Sequence, residues 1–349
     1  MDHARDMTEP DLFDPDETEG ASEPPQRGRR VREKRRNRRV LLAALVLLLV
    51  PVLAVGGYLA YLNHLVTDNV KKEMLLPNGD SQPLDGSGNV VAQPADNGTN
   101  YLLIGSDAGP GREGGRSDVM VLVHVPEDHS RVTLIHFPRD LWVPIPGHKE
   151  GKLNAAYAYG GPPLLVTTMQ NLLGVKIDHV AKVGFEGFKN ITNAVGGVDV
   201  KVEEPSTSQG IQFNVGTMHM DGDTALAFVR ERKQLSEGDI SRGRRQLAFI
   251  KALMLQTLNK DTLLNPVRLA KVIDAATSNT TVDQNLDVSD MRTEAFALRG
   301  VRGGDIDFIT APFTGFGTSP DGQSIDIVDE VKMKQLGEAI RTDALASYK

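Results

Sequence analysis

The chain has 349 residues, of which 40% are hydrophobic, so it has room for one large domain or two medium ones. It contains no cysteine, which excludes disulfides, thiolate metal sites and a cysteine nucleophile. The net charge is −7, and residues 1–62 carry ten basic and ten acidic side chains, so the excess acid lies after residue 62. An acidic domain repels the phosphate backbone, so we expect no nucleic-acid partner.

The N-terminal part of the sequence predicts a cytoplasmic tail and a membrane anchor. Residues 1–26 are acidic and poor in aliphatic side chains, which is typical of disorder, and residues 27–39 hold nine Arg or Lys. Residues 40–62 carry no charge, and at ~1.5 Å per residue they would span about 34 Å, enough for a bilayer core. The basic run predicts that residues 1–39 are cytoplasmic. A cleaved signal peptide is the alternative, but its apolar stretch would be shorter.

Residues 63–99 are interpreted as an extracytoplasmic linker, because much of the segment is rich in Pro, Gly, Asn and Asp. Residues 100–349 are interpreted as the catalytic domain. Its predicted strands are Tyr101–Gly105, a hairpin of Val119–Val125 and Val132–Phe137, then Val198–Val202 and Ile306–Thr310. Its predicted helices are Pro162–Leu173 (capped by Gly174), Phe185–Val195, Thr224–Arg230, Asp239–Asn259, Leu263–Ser278, Ser289–Leu298 (capped by Gly300) and Ile327–Arg341. This mixture predicts a layered α/β domain.

Several catalytic motifs are absent: there is no G-x-x-x-x-G-K-[ST], no H-E-x-x-H and no G-x-S-x-G. The first of four charged clusters surrounds a glycine-rich loop between Asp107 and Asp118, with Arg116 near its end. Glycines let backbone N–H groups approach a phosphate, and two carboxylates can hold Mg²⁺ together with substrate phosphates. An ordinary surface loop is the alternative.

Two shorter clusters follow. Arg139 and Asp140 come directly after an apolar strand, where sites often form, with a solvent-exposed ion pair as the alternative. Lys152 and Asn154 offer a cation and an amide near the start of a helix, and alone they carry little weight.

The fourth cluster is the most informative. Arg230 and Arg232 alternate, so in an extended segment both point to one side. Asp239 is a predicted N-cap, and Arg242 and Arg245 then lie three apart on one helix face. Arginines are unfavourable near a helix N-terminus, which is already partly positive, and their planar forks suit phosphate. The cluster therefore predicts an anion site, with a solvated basic surface as the alternative. The whole inventory fits metal-assisted phosphoryl transfer.

The sequence resembles the LytR-CpsA-Psr family of Gram-positive bacteria. The motifs that carry the resemblance are LLIGSD (Leu102–Asp107), RSD (Arg116–Asp118), FPRD (Phe137–Asp140), KLNAAYAYG (Lys152–Gly160), GFEGF (Gly184–Phe188), GGVDV (Gly196–Val200) and the stretch Arg230–Gln246. Two positions depart from the family's usual pattern, where Val119 replaces a common Thr and Leu247 replaces a common Gln. The departures touch the edges of the motifs and leave the charged residues in place.

The resemblance implies a three-layer α/β/α sandwich with a mixed central sheet, preceded by one transmembrane helix of a bacterial cell membrane. It implies an extracytoplasmic, Mg²⁺-dependent phosphotransferase that moves a glycopolymer from a polyprenyl-pyrophosphate carrier onto peptidoglycan and releases polyprenyl phosphate. A hydrolase of the same carrier, or a non-catalytic wall-binding or regulatory protein, is the alternative.

The resemblance also assigns residues. Asp107 and Asp118 match the positions associated with Mg²⁺, for which Mn²⁺ is an alternative. The expected pyrophosphate-binding side chains are Arg116, Arg139, Lys152, Asn154, Arg230, Arg232, Arg242, Arg245 and Gln246. The expected catalytic residues are Asp118, Arg139 and Asp239, and the base for the acceptor hydroxyl stays open between Asp118 and Asp239.

Overall fold

The structure is a computed structural model that describes residues 47, 49, 53–77, 98–106 and 117–348. It divides into two units, Met1–Leu59 and Ala60–Lys349. Across the described residues, no helix is long and apolar enough to cross a membrane. The predicted tail (residues 1–39) and much of the predicted anchor (residues 40–62) lie outside the described residues, so both stay predictions.

The second unit begins before residue 100. Residues 60–69, here called α1, are helical, and the Asn69 side chain donates a hydrogen bond to Asp274 Oδ1 at 2.8 Å. The next strand joins the central sheet, and Leu75 is buried in the core. Part of the segment interpreted as a linker therefore belongs to the folded unit.

The unit is built on a seven-stranded sheet. In spatial order its strands are β1 (Lys71–Glu73), β12 (Thr280–Asp283), β7 (His179–Gly184), β2 (Thr99–Ser106), β3 (Ser117–Val125), β4 (Val132–His136) and β13 (Ile306–Thr310). The pairs β1–β12, β7–β2 and β4–β13 are parallel, and the other neighbours are antiparallel. The predicted mixed sheet and the predicted hairpin of β3 and β4 are both confirmed.

Helices cover both faces of this sheet. They are α2 (Leu153–Leu173), α3 (Phe185–Ala194), α4 (Gly222–Arg230), α5 (Asp239–Thr257), α6 (Lys260–Leu263), α7 (Pro266–Asn279), α8 (Val288–Ala297) and α9 (Glu330–Arg341). Leu102 and Ile104 of β2 pack in the core that contains α2 and α9, whereas Leu103 packs in the core that contains α5. This alternation follows from the two-residue period of a strand, and it produces three layers.

A smaller sheet and two hairpins complete the unit. The small sheet has the order β14 (Phe313–Thr318), β15 (Ser324–Val328), β5 (Leu141–Pro144) and β6 (Glu150–Lys152). One hairpin pairs β8 (Val198–Val202) with β11 (Gly216–Met220), and the other pairs β9 (Ser206–Ser208) with β10 (Ile211–Phe213). Residues of β8, β10 and β11 pack with α4 and α5 in a third apolar cluster.

Three predicted helix ends are corrected. The N-cap of α5 is Gly238, with φ 53°, and Asp239 is the first helical residue. Gly300 does not cap α8, which passes instead into a 3₁₀ turn. Residues 327–329 are not helical, because the preceding segment pairs as β15 and the Asp329 carboxylate accepts the Lys332 N–H at 3.0 Å, which starts α9. The predicted cap Gly174 is confirmed, with φ 66°.

The contact between α2 and α9 gives a stability prediction. A Cβ atom at Gly337 would collide with the backbone oxygen of Leu173, so we expect Gly337→Ala to lower the free energy of unfolding by about 1–3 kcal/mol, the usual cost of overpacking. Gly300→Ala is the control, because its Cβ would meet open space. Urea unfolding of both variants checks this. Equal stability of the two would contradict the close packing of α2 and α9.

Candidate active site

The candidate site lies at one edge of the central sheet. β2 and β7 run parallel and end at this edge, at Ser106 and Gly184. The antiparallel β3 begins there at Ser117, and β4 returns toward the same edge and ends at His136. Segments that adjoin these strand ends therefore come together, which is a common origin of sites in α/β folds.

The first turns of α5 pack closely against the end of β4. A Cβ atom at Gly243 would collide with the His136 imidazole, so glycine permits this approach of helix to strand. His136 is buried, and burial together with the Arg242 charge lowers its pKa to about 3. The imidazole is therefore neutral and adds no charge to the site. The same approach sets Asp239 of α5 beside Arg139, which follows β4.

Charged side chains from four segments meet here in an ion cluster, called the Arg139 cluster. Its members are Asp118, Arg139, Asp140, Lys152, Asp239 and Arg242. Three are carboxylates and three are cations, so the cluster is neutral when every member is charged. It brings together the three expected catalytic residues, which lie in separate parts of the sequence.

Arg139 is the centre of the cluster. Its Nη1 donates a hydrogen bond to Asp118 Oδ1 at 2.6 Å. Its Nε lies 3.5 Å from Asp239 Oδ1 and 3.8 Å from Asp140 Oδ2. Burial lowers the pKa of Arg139, but the charges of the three aspartates outweigh this effect, so the pKa lies above its ordinary value.

Asp239 and Arg242 form the side of the cluster that α5 contributes. They pair with each other one turn apart. Burial raises the pKa of Asp239 despite the nearby Arg242 and Arg139, and burial lowers the pKa of Arg242. Among the described residues, neither Asp239 oxygen nor Arg139 Nε has a hydrogen-bond partner, although all three atoms are buried. Buried polar atoms of this kind are expected at a ligand site.

Lys152 and Asp140 form another side of the Arg139 cluster. Lys152 Nζ lies 3.0 Å from Asp140 Oδ1, and the backbone N–H of Asn154 donates to the Arg139 carbonyl at 3.1 Å. Of the two predicted residues, Lys152 therefore belongs to the cluster through its ammonium group, and Asn154 adjoins it through a backbone contact.

One acidic neighbour of the cluster, Asp326 of β15, was not predicted from the sequence. Its backbone N–H donates to the Asp140 carbonyl at 2.9 Å, and its side chain is buried. Burial, and then the charges of Asp140 and Asp239, raise its pKa to about 6. The sequence signal for Asp326 is a single carboxylate between two isoleucines, in a segment where polar and apolar residues alternate. Instead, Asp326 was assigned to no element, and the residues from Ile327 onward were assigned to a helix.

Arg230 and Arg232 lie at the rim. Arg230 is the last residue of α4, and its guanidinium stacks 4.6 Å from the centre of the Phe185 ring. Arg232 is exposed, yet its charge reaches Asp239 and lowers the pKa of that carboxyl group. Arg232 is thus an exposed cation within electrostatic reach of the Arg139 cluster, and Arg230 is an exposed arginine that lies against Phe185, the residue after β7.

Arg245 and Gln246 contact residues outside the Arg139 cluster. Arg245 is buried, and it donates to Ser206 Oγ at 2.9 Å and to the Glu204 carbonyl at 2.6 Å. Its guanidinium also stacks 4.5 Å from the centre of the Phe228 ring. Gln246 Nε2 donates to the Val229 carbonyl at 3.4 Å. Arg242 and Arg245 are three residues apart on α5, but their partners differ. Arg242 pairs with Asp239 of the cluster, whereas Arg245 is bound by Ser206 and Glu204 outside it.

The residues expected to hold Mg²⁺ are only partly described. Asp107 and Arg116 lie outside the described residues; in sequence they adjoin Ser106 and Ser117, the strand ends at this edge. In the described part of the chain, no three His or acidic side chains are grouped as a metal cage. Mg²⁺ is usually held by one or two carboxylates with substrate phosphates, and the partly exposed Asp118 is a carboxylate of this kind.

The fold and the ion cluster define a mixed α/β domain with an arginine-centred site at its sheet edge. The model of the LytR_cpsA_psr family matches residues 61–342, so the chain belongs to this family, as the motifs predicted. It is 33% identical over 306 residues to the probable cell wall biosynthesis protein LcpB of Corynebacterium glutamicum, covering 83% of this chain and 70% of LcpB.

The chain is also similar to a named transferase and to two solved structures. The polyisoprenyl-teichoic acid–peptidoglycan teichoic acid transferase TagU of Bacillus cereus is 34% identical over 235 residues, covering 67% of this chain and 77% of TagU. The crystal structure of B. subtilis TagV matches with a TM-score of 0.62 at 26% identity, covering 72% of this chain and 99% of TagV. TagT bound to LI-WTA matches with a TM-score of 0.59 at 27% identity, covering 70% and 90% of the two chains.

The contrast between Arg245 and Arg232 gives a prediction. We expect Arg245→Ala to lower the free energy of unfolding by about 2–3 kcal/mol, because it removes two buried hydrogen bonds and the packing on Phe228. We expect Arg232→Ala to change it by less than about 0.5 kcal/mol, because that side chain is exposed. Thermal unfolding of both variants measures the difference. A stable Arg245→Ala protein would show that Arg245 is not a structural arginine.

Proposed function

We propose that this protein is a membrane-anchored phosphotransferase that moves a glycopolymer from a polyprenyl-pyrophosphate carrier onto peptidoglycan and releases polyprenyl phosphate. The observation that carries the proposal is the Arg139 cluster, in which the buried Arg242 and the partly buried Arg139 and Lys152 meet at the sheet edge, and in which the buried oxygens of Asp239 form ion pairs but no hydrogen bond among the described residues. The names of TagU as a teichoic acid transferase and of LcpB as a probable cell wall biosynthesis protein support it.

The cluster suits a pyrophosphate because its cations are already held in place. Arg139 and Arg242 are fixed by Asp118 and Asp239, so binding requires little reorganisation of their side chains. An entering anion would replace carboxylate contacts with phosphate contacts, for which a guanidinium offers two N–H groups at once. Arg230 and Arg232 at the rim would attract the anion and contact the outer phosphate.

Asp118 and Asp107 would hold Mg²⁺, with Mn²⁺ able to take the same place. When bound, the ion would withdraw charge from the phosphate oxygens and favour attack on phosphorus. Asp118 also accepts the hydrogen bond from Arg139. A cation drawn to Asp118 would weaken that bond and leave Arg139 free to contact phosphate.

In the transfer step, an acceptor hydroxyl of peptidoglycan attacks phosphorus. The new P–O bond forms as the bond to the leaving polyprenyl phosphate breaks, and the hydroxyl proton passes to a base. We assign this role to Asp239, because burial raises its pKa, and a base with a raised pKa accepts a proton more readily. Arg139 and Arg242 would stabilise the charge that develops on the phosphoryl group.

The anchor belongs to the same proposal. Residues 40–62 carry no charge and follow a basic run, so they would hold residues 1–39 in the cytoplasm and the folded unit outside the membrane. Anchoring would keep the site close to a donor that is itself confined to the bilayer by its prenyl chain.

The proposal is tested with the full-length protein in detergent, a lipid-pyrophosphate glycan and peptidoglycan fragments, with and without Mg²⁺. We expect metal-dependent release of polyprenyl phosphate and a glycan-linked product. We expect Arg139→Ala to lower the transfer rate by about 100-fold or more, since removal of one group that stabilises developing charge costs that much. Arg268→Ala, which changes an exposed arginine of α7 outside the cluster, should transfer at the wild-type rate.

Each alternative outcome would indicate a different function. Release of polyprenyl phosphate without linkage to any peptidoglycan fragment would identify a hydrolase. Binding of the lipid without release, with or without Mg²⁺, would identify a non-catalytic wall-binding protein. Equal rates for Arg139→Ala and Arg268→Ala would remove the Arg139 cluster from the mechanism.

A further inference from the structure

Asp326 is a buried carboxyl group whose charge the proposed mechanism does not use. Its side chain is 3% exposed, and its Oδ2 has no hydrogen-bond partner among the described residues. β15 holds it behind the Arg139 cluster through the backbone bond to Asp140. A buried, unpaired carboxylate is costly, so its presence here calls for a physical reason.

The groups that face Asp326 come from each segment packed around it. Asp140 lies between β4 and β5, Asp239 begins α5, and Lys152 ends β6. Lys152 already pairs with Asp140 at 3.0 Å, and it also faces Asp321 in the turn before β15. Two carboxylates and one shared ammonium group thus surround Asp326.

The charge balance depends on the protonation state of Asp326. The Arg139 cluster is neutral by itself, so the six members of the cluster and Asp326 together carry a charge of −1 when Asp326 is ionised and no net charge when it is protonated. The raised pKa of Asp326 agrees with this balance. An anion that binds at Arg139 and Lys152 adds further negative charge nearby, and this favours the protonated form.

We infer that Asp326 is a positioning residue that takes up one proton from solvent when the anionic donor binds, and thereby leaves Lys152 and Arg139 to the donor's phosphates. The inference rests on the proposed donor class. Asp326 breaks and forms no bond of the donor, and it returns the proton when the phosphate leaves. An ionised Asp326 competes for Lys152 and repels the donor, so the affinity for the donor falls as pH rises.

The probe is geranyl pyrophosphoryl-N-acetylglucosamine, in which each phosphorus has one ester bond and one anhydride bond and keeps a single fixed negative charge near neutral pH. Calorimetric titration of the full-length protein in two buffers of different ionisation enthalpy measures proton uptake. For the wild type we expect net uptake near pH 6.5 and an affinity that weakens about fivefold or more from pH 6 to pH 8, because one linked proton changes affinity by up to tenfold per pH unit.

Asp326→Asn keeps the size of the side chain and fixes its charge at zero. We expect it to abolish the uptake, to change affinity less than about twofold over the same pH range, and to bind more tightly than the wild type at pH 8. It should lower KM at pH 8 and leave kcat unchanged. Asp326→Ala, also uncharged, should give the same flat profile if Asp326→Asn folds poorly.

Asp321→Asn is the matched control. Asp321 also faces Lys152, but its bonds to Ser319 and Gln323 lower its pKa, so it stays ionised across this range and the variant should keep the proton uptake and the pH dependence of the wild type. Wild-type uptake in Asp326→Asn, or weaker binding by this variant at every pH, overturns the inference alone. Failure of the probe to bind the wild type at any pH overturns the proposed donor, and the inference with it.

Discussion

The bond from Arg139 to Asp118 joins the two strands on which the site depends. Asp118 lies near the start of β3, and Arg139 follows β4, so the bond closes the open end of a hairpin. Charges buried without partners are expensive, and a pair is tolerated only when its geometry is good. The fold meets this requirement by adding Asp239 and Asp140 around the same guanidinium.

The rest of the architecture follows from bringing these charges together. Gly243 lets α5 approach the end of β4, which sets Asp239 and Arg242 beside Arg139. The small sheet adds a second support, because β15 pairs with β5 directly after Asp140 and so places Asp326 behind the cluster. The resulting site is neutral overall, with its arginines fixed before any ligand arrives. Such preorganisation is the main contribution of a protein to phosphoryl transfer.

Much of this architecture was predictable from the sequence. Apolar runs with turn signals predicted β3 and β4, and the motifs of the family predicted the mixed sheet and the meeting of Asp118, Arg139 and Asp239. The small sheet was missed because its strands are short; β6, for example, has three residues. Its pairing is set by tertiary contacts that a local pattern does not contain. Asp326 was missed for the same reason.

The roles of the individual arginines also could not be predicted from the sequence pattern. Residue type and spacing predicted one anion site that included both Arg242 and Arg245. Their actual roles depend on what packs beside each: carboxylates surround Arg242, whereas Phe228 and the Glu204 carbonyl hold Arg245. A helical spacing of three predicts a shared face, but the neighbouring elements decide which partners that face meets.

The central claim is that carboxylates hold the arginines in place for an incoming pyrophosphate and compete with it. The most direct test is the affinity of Asp118→Asn for the geranyl pyrophosphoryl glycan in the absence of Mg²⁺. We predict tighter binding than the wild type, because the variant removes one negative charge and weakens the hydrogen bond that holds Arg139. Weaker or unchanged binding would contradict it, and would mean that Arg139 does not receive the phosphate.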